Sequence, residues 1–240
     1  MSNGKIALIT GSTQGIGREI AERFVKDEFK VIVHCSKDLE KAEKVKNEIK
    51  AYKAVVGHLN DIDIADKLYG ETGGVDILVL NASIQYKKLW TEFTSEDIQR
   101  QLQINFTSSF QLMQKYYPFM KNNGWGRIIV IGSVNQHRRH KELAIYAATK
   151  CALMSVVENV AKETAKFGVT VNNVSPGAIE TPRNDSVLQD EASRKKVESF
   201  IPMGRFGKSE ECAGIVSFLA SEESRYITGA DFKVDGGMSL

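Results

Sequence analysis

Cysteine is scarce in this chain of 240 residues, and the three present, Cys35, Cys151 and Cys212, are odd in number and lack metal-type spacing. A disulfide framework and a zinc site are therefore not expected, and a reducing compartment fits. No stretch approaches the roughly 18 apolar residues of a membrane span. The run from Ile6 to Ile9 is too short for a signal segment. An excess of one charge is missing too. Lys and Arg number 32 against 30 Asp and Glu, a net charge of +2, and no long basic block offers a nucleic-acid or membrane surface. These absences predict a soluble, cytoplasmic protein whose partner is a small molecule, with no nucleic acid and no membrane.

What is present is alternation. Apolar runs at 5–10, 30–35, 54–59, 75–80, 127–132 and 169–174, with a short closing run at 232–234, read as strands. Between them lie a helix from Arg18, a charged helix over 38–50 and a short one over 62–69. One long helix over 95–121 follows, with Thr94 or Ser95 as its cap, then the helix of Tyr146 and Lys150 and one over 209–220. Strands apolar along their whole length belong to parallel sheets covered on both faces. The predicted class is α/β: a single doubly wound parallel sheet of about seven strands, in one domain over 1–240. A polar segment over 181–208, interrupted by Pro182, Pro202 and Gly204, is expected to be a mobile lid.

The first strand stops at Gly11-Ser12-Thr13-Gln14-Gly15-Ile16-Gly17, and a helix follows. Glycines there let the backbone turn tightly and approach a pyrophosphate, and the helix N-terminus adds unpaired amides. A plain tight turn would need similar glycines; the placement between first strand and helix favours dinucleotide binding.

Tyr146 and Lys150 are four apart on a predicted helix and share one face. A phenol titrates near ~10, and bringing it to neutrality takes on the order of 4 kcal/mol. An ammonium ~4 Å away, at an effective dielectric of about 20, supplies that much. Tyr146 then becomes a general acid or base. Tyr117 and Lys121 share the spacing, but Tyr117 precedes Pro118 and has no serine at the offset that separates Ser133 from Tyr146, so it reads as helix surface. Ser133 follows the run 127–132, at the carboxyl end of a strand, where ligands bind in open α/β sheets.

Taken together, Thr10-Gly11-x3-Gly15-Ile16-Gly17, Asn81-Ala82, Asn105, Ser133, Tyr146-x3-Lys150, Pro176-Gly177 and the ending Val234-Asp235-Gly236-Gly237 resemble the classical short-chain dehydrogenase/reductase family over essentially the whole chain. The resemblance implies a Rossmann-type fold, a nicotinamide cofactor, and hydride transfer to or from a carbonyl or secondary-alcohol carbon. It implies a catalytic set of Asn105, Ser133, Tyr146 and Lys150. Tyr146 would pass the proton, Lys150 would depress its pKa and bond the nicotinamide ribose, Ser133 would hold the substrate oxygen, and Asn105 would place a water linking Lys150 to solvent. Cofactor contacts are implied from Gly11, Ser12, Gln14, Gly15, Ile16 and Gly17, from Ser36 and Lys37, and from His58 and Leu59. Asn81, Ala82, Ser83, Tyr146, Lys150, Pro176, Gly177, Ile179 and Thr181 complete them. A homo-oligomer, a tetramer paired through the Asn105 and Tyr146 helices, is implied as well.

Three departures stand out. Leu80-Asn81-Ala82-Ser83 replaces the family's Asn-Asn-Ala-Gly, His58 stands where many members end the third strand in aspartate, and 58–81 is a few residues short. At the end of the second strand, His34-Cys35-Ser36-Lys37 offers no carboxylate for the ribose of NAD, while a hydroxyl beside an ammonium suits a 2′-phosphate. NADP(H) is expected over NAD(H), although Gln14 stands where many NADP-dependent relatives carry a basic residue.

The C-terminal half resembles 3-oxoacyl-[acyl-carrier-protein] reductases, a pattern shared by sugar and sugar-acid dehydrogenases. Phe167 replaces the basic residue usual in carrier-protein users. A non-catalytic dinucleotide-binding redox sensor is the alternative of another class. The cluster His137-Arg138-Arg139-His140-Lys141 borders the expected pocket, so Arg138 and Arg139 are candidate substrate contacts; a solvated loop is the competing reading. His137 and His140 have no further ligands nearby, and no metal is expected.

Overall fold

A computed structural model describes residues 4–240. The strands of the main sheet are β1 (Ile6–Ile9), β2 (Lys30–Cys35), β3 (Lys53–Val56), β4 (Ile77–Leu80), β5 (Gly126–Ile131), β6 (Val169–Pro176) and the closing strand Asp231–Val234, β9. They form one 7-stranded sheet in the order β3-β2-β1-β4-β5-β6-β9, and every neighbouring pair is parallel. The chain winds one way from β1 to β3 and the other way from β4 onward. A crevice therefore opens at the carboxyl ends of β1 and β4.

Successive residues of a strand point to opposite faces, and both faces here are covered. Leu8, Ile32, Leu78 and Ile128 face α3 (Ile64–Thr72), α5 (Ser108–Asn122) and α6 (Ala144–Thr164) through Leu68, Leu112, Leu153 and Val157. Ile9, Val33, Val79 and Ile129 face α1 (Gly15–Lys26), α2 (Leu39–Ile49) and α9 (Ser209–Ala220) through Ile20, Phe24, Val45 and Val216. The pattern of apolar runs is the direct consequence of this double cover. Among the described residues, no helix is long and apolar enough to cross a membrane.

The structure departs from the sequence expectation in three places. The helix expected over 95–121 is broken: α4 (Ser95–Leu102) runs into a π-helical turn at Gln103–Thr107 before α5 begins. The widened turn is stitched by side chains, with Ser108 Oγ donating to the Ile104 carbonyl at 2.8 Å and Ser109 Oγ to that of Asn105 at 3.2 Å. Thr94 is the N-cap, accepting from the Asp97 amide at 3.2 Å.

β3 ends at Val56 instead of residue 59. At Gly57 a Cβ would meet Ile64 Cδ1 at 2.5 Å, so α3 packs closely at the end of the strand, and His58 Nδ1 takes the Asn60 amide at 3.0 Å to start a turn.

The polar segment also carries structure of its own. A 3-10 turn at Pro182–Asn184, α7 (Asp185–Leu188) and α8 (Glu191–Glu198) lead to β8 (Gly207–Lys208), which pairs with β7 (Ile179–Glu180).

Candidate active site

The carboxyl ends of β1, β2, β4, β5 and β6 open into a cleft of about 850 Å3. At its floor Gly11 and Gly15 take positive φ of 64° and 54°, the left-handed region that favours glycine. A Cβ on Gly17 would lie 2.4 Å from Asn81 Nδ2 and 2.5 Å from the Gly11 carbonyl, so only glycine fits there. Asn81 Nδ2 bonds the carbonyls of Thr10 and Gly11 at 2.9 and 3.1 Å and so holds the loop's shape. Helix α1 has no side-chain cap and no acidic residue in its first turn. Its amides thus face the cleft as a cradle for an anion, and the residues present fit a dinucleotide pyrophosphate.

His34, at the end of β2, is the pin of this corner. Its Nδ1 accepts from the Gly11 amide at 3.0 Å, and its Nε2, 3.0 Å from the Gly57 carbonyl, must then carry the hydrogen. Burial pushes its pKa down to about 4 against the opposing bond to Gly57, so the ring is neutral at physiological pH. Ser12, expected at the cofactor, instead faces β2: it is fully buried, and its Oγ accepts from the His34 amide at 2.9 Å. The other residues expected at the dinucleotide line the cleft, with the exception of Lys150. Ser36 and Lys37 are joined by Lys41 from the first turn of α2, whose ammonium donates to Gln14 Oε1 at 2.8 Å.

Strand β5 delivers Ser133, and α6 delivers Tyr146 and Lys150. Ser133 Oγ accepts from the Asn135 amide and Nδ2 at 3.2 and 3.1 Å, which leaves its own hydrogen for the Tyr146 hydroxyl or for a substrate oxygen. Lys150 Nζ lies 5.8 Å from the centre of the Tyr146 ring. Burial alone would push the Tyr146 phenol up. The Lys150 ammonium, the Arg183 guanidinium and the Ser133 hydrogen bond outweigh it and hold the phenol below its ordinary value.

Asn105 lies in the π turn, fully buried, and does not line the cleft. Its Oδ1 accepts from the Ile84 amide at 2.8 Å, and its Nδ2 donates to the Ile84 carbonyl at 2.9 Å and to Thr149 Oγ1 at 3.3 Å. Thr149 in turn donates to the Tyr146 carbonyl at 2.7 Å. The amide therefore clamps the loop after β4 to the turn of α6 that carries the phenol.

Arg138 and Arg139 both line the cleft. The Arg138 guanidinium stacks 4.8 Å from the centre of the Phe200 ring, and Arg139 Nη1 donates to the Gln136 carbonyl at 3.1 Å. The loop is fixed by His137, whose Nε2 lies 2.6 Å from Asp231 Oδ2 and which does not itself line the cleft.

Two functional cations escape sequence reasoning. Lys41 could have been found by its place in the first turn of the helix that follows Lys37. Arg183 carries no such signal, yet its Nη1 donates to the Tyr146 hydroxyl at 3.4 Å and its Nη2 to Ser83 O and Oγ at 2.7 and 3.0 Å.

The cleft as a whole is cationic. Lys37, Lys41, Lys87, Arg100, Arg138, Arg139, Arg183 and Lys196 line it, and no Asp or Glu does. None of these eight is in an ion pair among the described residues. A chain almost neutral overall has gathered one sign of charge around one opening, which attracts anionic ligands.

A glycine-bent, uncapped helix at the switch point of a parallel sheet, beside a phenol depressed by a buried ammonium, defines a nucleotide-dependent oxidoreductase. The chain belongs to the short-chain dehydrogenase/reductase family: the family model described as enoyl-(acyl carrier protein) reductase matches residues 11–239. It is 36% identical over 244 residues to the acetoacetyl-CoA reductase of Cupriavidus necator, covering 98% of each chain. A 3-oxoacyl (acyl-carrier-protein) reductase from Agrobacterium tumefaciens C58, solved with NADP bound, superposes with a TM-score of 0.94 at 34% identity, covering 98% of this chain and 95% of that one. A gluconate 5-dehydrogenase from Burkholderia cenocepacia, in complex with NADP and tartrate, superposes at 0.91 with 30% identity, covering 98% and 95%. The enzyme is thus a reductase or dehydrogenase of carbonyl and alcohol carbons.

Proposed function

We propose that the chain is an NADP(H)-dependent oxidoreductase in which Tyr146 passes the proton, Ser133 and Tyr146 hold the reacting oxygen, and Lys150 sets the phenol's acidity. The observation that carries this reading is the setting of the Tyr146 hydroxyl, with Ser133 within hydrogen-bond reach and the Lys150 ammonium fixed 5.8 Å from the ring centre, an arrangement that lowers the phenol's pKa. The dinucleotide, when bound, supplies or accepts the hydride. The protein's part is to place donors where an alkoxide develops and to supply or remove its proton. Asn105 acts as a positioning group through Ile84 and Thr149.

The preference for NADP(H) is supported by Ser36, Lys37 and Lys41 beyond β2, with no carboxylate lining that end, and by the NADP found in both solved relatives named above. Residues 181–208 form the lid of the one domain, and their ordering over substrate is read from hydrogen exchange with and without ligand. A tetramer paired through α5 and α6 is supported by half-buried apolar side chains there, among them Phe110, Met154 and Val156; a monomer by light scattering at micromolar concentration contradicts it. The free thiols Cys35, Cys151 and Cys212 support a cytoplasmic setting.

The acyl-thioester and sugar-acid classes in the relatives' names are separated by a substrate panel run with both reduced cofactors. Consumption of NADPH in any ketone assay distinguishes the enzyme from a sensor, which binds the dinucleotide without turnover.

A further inference from the structure

Arg183 is the guanidinium that touches the reacting phenol, and its effect on that phenol's acidity leaves two of its N–H donors without a role. Ser83 takes both Nη2 hydrogens, through its carbonyl at 2.7 Å and its hydroxyl at 3.0 Å, and the Tyr146 hydroxyl accepts from Nη1 at 3.4 Å. A guanidinium has five N–H donors, so one hydrogen on Nη1 and the one on Nε remain. Its backbone is set in advance: the turn at Pro182–Asn184 is held by Asn184 Nδ2 on the Ile179 carbonyl at 2.7 Å and by the Asn184 amide on that of Thr181 at 2.8 Å. Arg183 has no acidic partner among the described residues, and no carboxylate lines the cleft around it. Arg138, fixed on Phe200, adds a second cation to the same cleft.

We propose that Arg183 is the substrate-recognition residue and that it grips a carboxylate carried within two carbons of the reacting carbonyl. The substrate is then a small 2- or 3-oxo acid or the corresponding hydroxy acid. The inference rests on the reductase reading above and names its substrate class. A carbonyl oxygen accepting from Tyr146 sits about 2.8 Å from the hydroxyl, and a group bonded to the free N–H donors of Arg183 sits about as far from the guanidinium. Because the guanidinium lies 3.4 Å from that hydroxyl, the two substrate oxygens are held within about 9 Å of each other at most, and a carboxylate one or two carbons from the carbonyl falls inside that reach. A planar carboxylate matches the planar fork, and the bond is charge-assisted in a cleft with no competing anion.

The test uses steady-state kinetics with NADPH on a 2-oxo acid, a 3-oxo acid and the methyl ester of each, for the wild type, Arg183→Met and Arg183→Lys. NADPH dissociation constants come separately from fluorescence titration. The wild type should prefer acid over ester in kcat/KM by about 30-fold for at least one pair. Most of the difference should lie in KM. Arg183→Met should bring the ratio close to one, and Arg183→Lys should keep part of it, while NADPH affinity changes far less than the ratio.

A wild-type ratio near one, or a ratio that survives in Arg183→Met, overturns the inference, while turnover of the esters leaves the reductase reading standing. A loss of NADPH affinity in Arg183→Met as large as the loss of acid turnover also overturns it, because the guanidinium would then serve the dinucleotide. So does a wild type that consumes NADPH with other ketones and ignores these acids. A wild type that consumes NADPH with no ketone sinks the reductase reading itself.

Discussion

Lys150 Nζ donates to the Ile131 carbonyl at 2.8 Å, which ties the ammonium of α6 to the strand that ends two residues before Ser133. The partner is a neutral backbone dipole. A carboxylate there would cancel the field at Tyr146, whereas a carbonyl fixes the cation and leaves its charge to act on the phenol. One bond thus joins α6, which carries Tyr146, to β5, which leads to Ser133.

Tyr146→Phe should therefore abolish turnover and spare cofactor binding, since the ring stays and the transferable proton goes. Activity above about a tenth of wild type would remove Tyr146 from its role; equilibrium NADPH titration checks the second half. Lys150→Ala should damage both turnover and NADPH affinity, and unchanged affinity would refute a ribose contact.

The pH dependence follows from the direction of the Tyr146 shift. Burial raises the phenol, but Lys150, Arg183 and Ser133 together bring it below its ordinary value of 10.0. In ketone reduction Tyr146 gives the proton, so activity falls as pH climbs through its pKa. In alcohol oxidation it accepts the proton, so activity rises over the same window. Both midpoints should lie below 10.0, and Arg183→Met, which removes the second cation, should move both upward. Midpoints that do not move would show that Arg183 leaves the phenol's field unchanged.

The parts of the site close in sequence were legible, and the parts built by distant contacts were not. Tyr146 and Lys150 declare themselves by helical spacing, and the Gly11 loop by its place between an apolar run and a helix. The π turn around Asn105 is invisible because its residues have helical composition; only the hydroxyls of Ser108 and Ser109, four residues on, mark where carbonyls are freed. Arg183 meets Ser83 across 100 residues, so no local pattern could announce it. Ser83, which stands where the family carries glycine, holds the arginine through its hydroxyl and its carbonyl.

Cofactor choice gives a third prediction. Lys37 and Lys41 flank Ser36 at the end of the cleft formed by β2, with no carboxylate among its lining residues. Lys37→Ala and Lys41→Ala should each raise KM for NADPH by about tenfold, the worth of one charge-assisted contact, and change KM for NADH much less. Equal effects on the two cofactors would place the ammonium groups away from the 2′-phosphate.

Gly17 gives a fourth. A Cβ there would strike Asn81 Nδ2 and the Gly11 carbonyl, both part of the loop that shapes the phosphate cradle. Gly17→Ala should cost cofactor affinity well beyond any loss of thermal stability, because the loop can shift outward only by moving its amides. Affinity within twofold of wild type, measured by titration, would show that the cradle tolerates the shift.

His34 links the cradle to folding. Its folded pKa, about 4, lies below the ordinary 6.5 because burial disfavours the charged ring. Between those values the unfolded chain binds a proton that the folded chain does not, so the neutral ring's contribution is complete above pH 6.5 and is lost as pH falls toward 4. The shift corresponds to a loss on the order of 3 kcal/mol across that window. A proton on Nδ1 would also turn the Gly11 amide from partner into a facing donor, so the glycine loop should loosen as the ring charges. Urea unfolding at pH 7 and pH 4.5 should show the wild type losing more stability than His34→Gln, whose side chain does not titrate, with NADPH affinity falling in parallel for the wild type. Equal losses in the two proteins would show that His34 does not titrate as a buried neutral ring.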